Sequence, residues 1–172
     1  YTLGHKVGVN TLEKYAKKIG LGYPTGIRLK GEKPGLVPST QWKIKNRNEP
    51  WLLGETISAS IGQGYNLVTP LQSVRMISTL ANGGLLLKPY LVKRIEDSEG
   101  KVIREFFPKI EGDIEIDSAI LKHLKEGLRG VVNEPRGTGH RARLKNIIVS
   151  GKTGTAQVVS MKDSEEIDPE EN

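Results

Sequence analysis

Apolar side chains recur at three- and four-residue spacing in three stretches of the chain, and each repeat predicts a helix. Leu12, Tyr15, Ala16 and Ile19 share one face of a helix over 11–19, with Asn10 as its cap, Glu13 completing a capping box and Gly20 as its stop. Leu71, Val74, Ile77, Leu80 and Ala81 supply the buried stripe of a second helix. It opens at Thr69-Pro70 with Gln72 in the capping-box position and ends at Asn82-Gly83-Gly84. Leu121, Leu124, Leu128 and Val131 mark a third, from Asp117 to Asn133-Glu134-Pro135. Between the second and third, Val92-Lys93-Arg94-Ile95 and Lys101-Val102-Ile103-Arg104 flank a polar turn at Asp97-Ser98-Glu99-Gly100 and predict a hairpin.

Two stretches break the helical pattern. Residues 20–54 are rich in Gly, Pro and Asn and read as a long irregular connection, too long to be filler in a compact domain. Trp42 and Trp51 within it read as anchors to the core. Near the end, Ile147-Ile148-Val149 and Val158-Val159 enclose Gly151-Lys152-Thr153-Gly154-Thr155-Ala156-Gln157. β-Branched flanks around small residues predict one strand, with a centre where a ligand can approach the backbone. The last residues, 161–172, carry six acids against one lysine and are expected to form a mobile loop.

Composition narrows the choices. The chain has 172 residues, enough for one domain or part of one, and 36% apolar residues, enough for a packed core. The absence of cysteine excludes disulfides, thiolate zinc sites and cysteine nucleophiles. No apolar run approaches the roughly 18 residues that read as a membrane span. The sequence has no initiator Met and opens in mid-pattern, so we read it as part of a longer protein. Residues 1–48 hold ten Lys and Arg against two acids. That bias could favour an anionic partner, but a solvated basic face is the simpler reading. Only 5% of residues are aromatic and no RNA-binding signature is present, so no nucleic-acid partner is expected.

Gly151-Lys152-Thr153 carries the candidate chemistry. A phosphate loop would need glycine where Asn146 stands and a helix directly after the threonine; a second Gly-Thr and Val-Val follow instead. The alternative is the Lys-Thr-Gly edge strand of serine acyl-transferases that bind penicillin. A strand bordering a cleft offers backbone groups to an extended peptide, its lysine sets a positive field for a carboxylate, and threonine hydroxyls can hydrogen-bond that carboxylate.

The surrounding motifs support the second reading. Glu55-Thr56-Ile57-Ser58-Ala59-Ser60-Ile61-Gly62-Gln63-Gly64, then Val68-Thr69-Pro70-Leu71-Gln72, Leu80-Ala81-Asn82-Gly83-Gly84 and Gly137-Thr138-Gly139, stand in order ahead of Lys152. This series resembles the transpeptidase domain of class B penicillin-binding proteins over residues 1–160. Gly35-Leu36-Val37-Pro38-Ser39, Pro50-Trp51 and Gly54-Glu55-Thr56 look most like the elongation-type members.

The resemblance implies an α+β fold of the penicillin-binding protein/β-lactamase type, an antiparallel sheet carrying the Lys152 strand and flanked by helices. It implies a serine acyl-enzyme that cross-links peptidoglycan stem peptides during wall elongation and is a target of β-lactams, with no cofactor. By match, Lys152 assists catalysis, Thr153 and Thr155 bind the substrate carboxylate, the Thr155 N–H is an oxyanion-hole donor, and Gly154 keeps the strand surface flat. It also implies a bacterial cytoplasmic-membrane protein whose domain faces the periplasm or exterior, partnered by the rest of the same polypeptide and the elongation machinery.

Two family motifs are not found. There is no Ser-x-Asn, and the one Ser-x-x-Lys, Ser98 to Lys101, falls in the predicted hairpin turn, after the Gly-Gln-Gly segment and so out of order. The nucleophile and Ser-x-Asn are therefore expected before Tyr1 and the final strands after Asn172, leaving this chain inactive alone. A β-lactam sensor or hydrolase on the same fold, or a non-catalytic scaffold homologue, are the alternatives. His5, His123 and His140 show no metal-ligand spacing, Gly62-Gln63-Gly64 reads as a tight turn, and Asp113, Glu115 and Asp117 read as a solvated face running into a helix cap.

Overall fold

A computed structural model describes residues 1–156. Six helices lie along these residues: α1 (Thr2–Val7), α2 (Val9–Lys18), α3 (Thr40–Arg47), α4 (Leu53–Ser60), α5 (Pro70–Ala81) and α6 (Ser118–Asn133). Four strands, β1 (Leu85–Lys88), β2 (Arg94–Glu96), β3 (Val102–Glu105) and β4 (Lys109–Asp113), fall between α5 and α6. They make two antiparallel two-stranded sheets, β1 with β4 and β2 with β3. The β2–β3 hairpin turns where its polar residues predict: Asp97 Oδ1 accepts the N–H groups of Glu99 and Lys101.

The helix starts follow their caps. Thr69 and Gln72 form the reciprocal box at the head of α5, with Pro70 first in the helix. Asp117 Oδ1 accepts the Ala119 and Ile120 amides at the head of α6. At α2 the expectation fails: the helix starts at Val9, capped by Gly8 at φ 77°, and Asn10 lies inside it. Asn10 Oδ1 instead accepts the backbone N–H and hydroxyl of Thr40, 30 residues on, so it serves the first turn of α3.

The stretch 20–54 is less irregular than predicted. Ser39 accepts the Trp42 amide and starts α3, and α4 begins at Leu53 with Glu55 accepting the Leu52 amide. Apolar periodicity missed α3 because its buried residue is Lys43, with a side chain only 2% exposed. Lys43 pairs with Glu55 and, at 3.4 Å, with Glu49. The Glu55 hydrogen bond raises the Lys43 pKa against the opposing pull of burial. Burial pushes Glu55 up, but hydrogen bonds from Lys43, the Leu52 amide and the Tyr65 hydroxyl hold it below the ordinary value. Trp42 and Trp51 close this cluster as anchors. Their rings lie 5.1 and 6.2 Å from Tyr65, and Trp51 Nε1 donates to Thr56 Oγ1 at 2.8 Å.

The buried face of α5 also departs from expectation. Gln72, Arg75 and Thr79 are buried, whereas Val74 is 62% exposed and Ile77 is exposed as well. The reason is that α5 packs against irregular backbone, whose carbonyls need donors. Gln72 Nε2 donates to Tyr23 O and Pro34 O at 2.7 and 2.8 Å. Arg75 donates from Nε to Leu87 O on β1 and from a terminal nitrogen to Glu111 on β4, at 2.8 and 2.7 Å. Beside Gln72, the isolated bridge between Leu36 and Leu67 brings backbone so close to Gly35 (φ 63°) that a Cβ would strike Leu67 O.

Candidate active site

The C-terminal half of α6 holds the residues singled out for chemistry. At its last turn, Asn133 Nδ2 donates to Arg129 O and across to Val149 O, both at 2.8 Å. One turn earlier, Leu128 O accepts the Gly151 amide at 2.9 Å. These two clamps lay residues 149–151 along the helix, over Val132, which is almost fully buried. The chain leaving α6 turns back at Gly137-Thr138-Gly139, where Gly139 N–H bonds to Val131 O at 2.8 Å. Gly137 is required there for space: a Cβ would lie 2.5 Å from Gly130 O and closer still to Val131 O.

The turn and the Lys-Thr-Gly segment meet. The hydroxyls of Thr138 and Thr153 lie 3.0 Å apart. Lys152 Nζ reaches Thr153 O at 2.9 Å and its hydroxyl at 3.3 Å. No carboxylate lies within 4.0 Å of Lys152 among the described residues, where its ammonium stands beside the Thr153 hydroxyl, itself in contact with that of Thr138. That set can attract and hydrogen-bond an anionic group. Lys152, Thr153, Gly154 and Thr155 are all exposed, and nothing approaches within 4 Å of where a Gly154 Cβ would stand.

The predicted strand through Lys152 is not formed over the described residues. Residues 147–156 carry no ladder bonds, and neither two-stranded sheet includes them. β-Branched residues favour a strand only where a neighbour covers the pleated surface. Here Ile147 and Ile148 remain 64% and 66% exposed, and the backbone bonds go to α6. Gln157, Val158, Val159 and the acidic run 161–172 lie outside the described residues.

The contact of Thr138 with Thr153 and the clamping by Asn133 escaped the reading of the sequence. The Thr-Gly letters shared by Gly137-Thr138-Gly139 and Gly151-Lys152-Thr153-Gly154 were the available signal for the first. Ser98 sits in the β2–β3 turn rather than at a helix start. His140 Nε2 lies 3.1 Å from Pro135 O and His123 pairs with Glu126 at 3.5 Å, while no metal-sized cluster of His, Asp and Glu exists among the described residues. Nor is any helix there long and apolar enough to cross a membrane.

Residues 1–170 match the penicillin binding protein transpeptidase domain. The chain belongs to this transpeptidase family. Among its relatives is the peptidoglycan D,D-transpeptidase MrdA of Haemophilus influenzae, 39% identical over 168 residues, 96% of this chain and 25% of that protein. The fold matches Pseudomonas aeruginosa PBP2, solved in complex with WCK 5153, with a TM-score of 0.80 and 36% identity over 92% of this chain and 35% of that one. It also matches Helicobacter pylori PBP2 solved with MreC, with a TM-score of 0.74 and 32% identity over 92% of this chain and 28% of that one. The chain thus spans about a quarter of the length of the curated relative. The α+β transpeptidase fold and its elongation-type PBP2 kinship agree with the motif series.

Proposed function

We propose that this chain contributes one wall of the active site of a peptidoglycan D,D-transpeptidase that cross-links stem peptides during wall elongation and is acylated by β-lactams. The observation that carries the reading is the convergence of the Gly137-Thr138-Gly139 turn with the Lys-Thr-Gly segment, which sets the Thr138 hydroxyl against that of Thr153 and the Lys152 ammonium beside the latter.

In this reading the Lys152 ammonium draws the terminal carboxylate of the stem peptide, and the Thr153 and Thr155 hydroxyls hydrogen-bond it. A serine from the rest of the polypeptide attacks the penultimate D-Ala carbonyl, with the Thr155 N–H as one donor to the developing oxyanion. The terminal D-Ala leaves as the amine and an ester remains on the serine. An amine from a neighbouring stem then displaces the serine, forming the cross-link and regenerating the hydroxyl. Gly154 leaves the face of the segment open to the substrate backbone.

In this reading the whole protein belongs to the elongation machinery at the cytoplasmic membrane, facing outward; the Helicobacter pylori PBP2 solved with MreC supports the place in that machinery. The test uses the full-length protein with a stem pentapeptide ending in D-Ala-D-Ala and an amine acceptor. Released D-Ala accompanied by cross-linked product is expected. Release with hydrolysis alone, or no release, overturns the reading.

A further inference from the structure

A groove of about 450 Å3 lies apart from the Lys152 segment, between the Gly26–Arg28 turn, the Pro89–Val92 link from β1 to β2, and the Phe106–Phe107 link from β3 to β4. Its charged lining is all of one sign: Arg28, Lys88, Arg104 and Lys109, with no Asp or Glu. Lys88 shares Glu111 with Arg75, at 3.8 Å. The other three have no carboxylate within 4.0 Å among the described residues. Arg104 stacks instead on the Phe106 ring, 4.7 Å from its centre. Arg28 holds a left-handed backbone, φ 66°, which residues other than glycine seldom adopt.

The rim is apolar. Phe107 is 71% exposed and Leu91 66%. Exposed apolar surface bordered by charge marks an interaction site, and Arg with aromatic residues is the pairing most enriched where partners bind. Like charges gathered around a low-dielectric recess repel one another, and a matching anion relieves that repulsion.

We propose that this groove docks an extended acidic segment of a partner protein. Its carboxylates meet Arg28, Arg104 and Lys109, and an apolar side chain seats between Leu91 and Phe107. A nucleic acid or phosphate polymer would satisfy the cations and leave the apolar rim unused. A planar anionic membrane would reach the rim and not a recess of this volume. The two-stranded sheets suit an extended partner, because each of their strands has one edge without a neighbour among the described residues.

The inference stands apart from the transpeptidase reading, and its test measures binding. Full-length protein is titrated into a fluorescein-labelled, end-blocked peptide alternating Glu with Leu and Phe, into its Gln analogue, and against phosphatidylglycerol vesicles. Saturable binding of the acidic peptide is expected, about tenfold weaker for the Gln analogue and weakening as salt rises. Arg104→Glu with Lys109→Glu should weaken it about tenfold or more, Phe107→Ser several-fold, and the remote pair Lys122→Glu with Lys145→Glu not at all. The proposal is overturned by absence of peptide binding, by equal binding of the Gln analogue, by equal loss in the remote pair, or by vesicles binding where the peptide does not.

Discussion

Replacing Gly137 by alanine sets a methyl group against backbone that cannot yield. The new Cβ would lie 2.5 Å from Gly130 O and nearer to Val131 O. Both carbonyls are occupied, Gly130 O by the Glu134 amide at 3.0 Å and Val131 O by the Gly139 amide at 2.8 Å. Relief therefore costs packing strain and at least one hydrogen bond, about 2–4 kcal/mol together. At Gly139 the same substitution meets Val131 Cγ1 at 3.1 Å and Val131 O at 3.2 Å, with φ already negative at −106°. A shift of a few tenths of an ångström suffices there, and the cost should be about 1 kcal/mol. At Gly154 a Cβ meets nothing, and the cost should stay within about 0.5 kcal/mol. Amide hydrogen exchange at Gly139 and Gly151 in the full-length protein reads this series. Fluorescent-penicillin labelling reads function on the same variants. Gly137→Ala should lose protection and labelling together, whereas Gly154→Ala should lose labelling alone. Unchanged protection in Gly137→Ala, or equal loss of protection in Gly154→Ala, would refute the reasoning.

Other outcomes follow from the buried polar groups. Gln72→Ala strands the Tyr23 and Pro34 carbonyls and the Thr69 amide, and should cost about 3–5 kcal/mol in denaturant unfolding. Glu32 accepts the Thr25 hydroxyl and the Thr25 and Gly26 amides, and these bonds, the hydroxyl first, hold its pKa below the ordinary glutamate value. Its contribution should be complete above the unfolded-state pKa and fall away as pH drops through the lower folded-state value, a dependence that Glu32→Gln should abolish. Lys43→Met should destabilise strongly by leaving Glu55 buried without its cation, and adding Glu55→Gln should recover part of the loss. Equal stability of the single and double variants would contradict the pairing.

How much of this was legible in the sequence depended on whether the signal was local. The α5 and α6 starts were readable because Thr69, Pro70, Gln72 and Asp117 act within one turn of themselves, and the hairpin because Asp97 serves its own turn. Asn10 carried the letter of a cap and served another helix 30 residues away, which no local pattern encodes. The α3 helix was hidden because a lysine, made tolerable by two glutamates brought by folding, takes its buried position. On α5 the apolar stripe was visible and misleading: backbone carbonyls from distant loops draw in Gln72 and Arg75, leaving Val74 outside. The Lys-Thr-Gly letters marked a segment that the structure brings against the Gly137-Thr138-Gly139 turn. Their strand is not formed over the described residues because a strand is a property of two chains of backbone, and those residues offer this one only α6. The proximity of Thr138 to Thr153 depends on the turn after α6, and its sequence trace was a motif without an assigned partner.

The most direct test of the central claim compares β-lactam acylation of the full-length protein with that of its Lys152→Ala and Lys145→Ala variants, by the rate of fluorescent-penicillin labelling at matched stability. If the ammonium beside the Thr138 and Thr153 hydroxyls recruits the carboxylate, Lys152→Ala slows labelling by about two orders of magnitude or more and Lys145→Ala leaves it unchanged. Equal labelling of all three proteins would contradict the account.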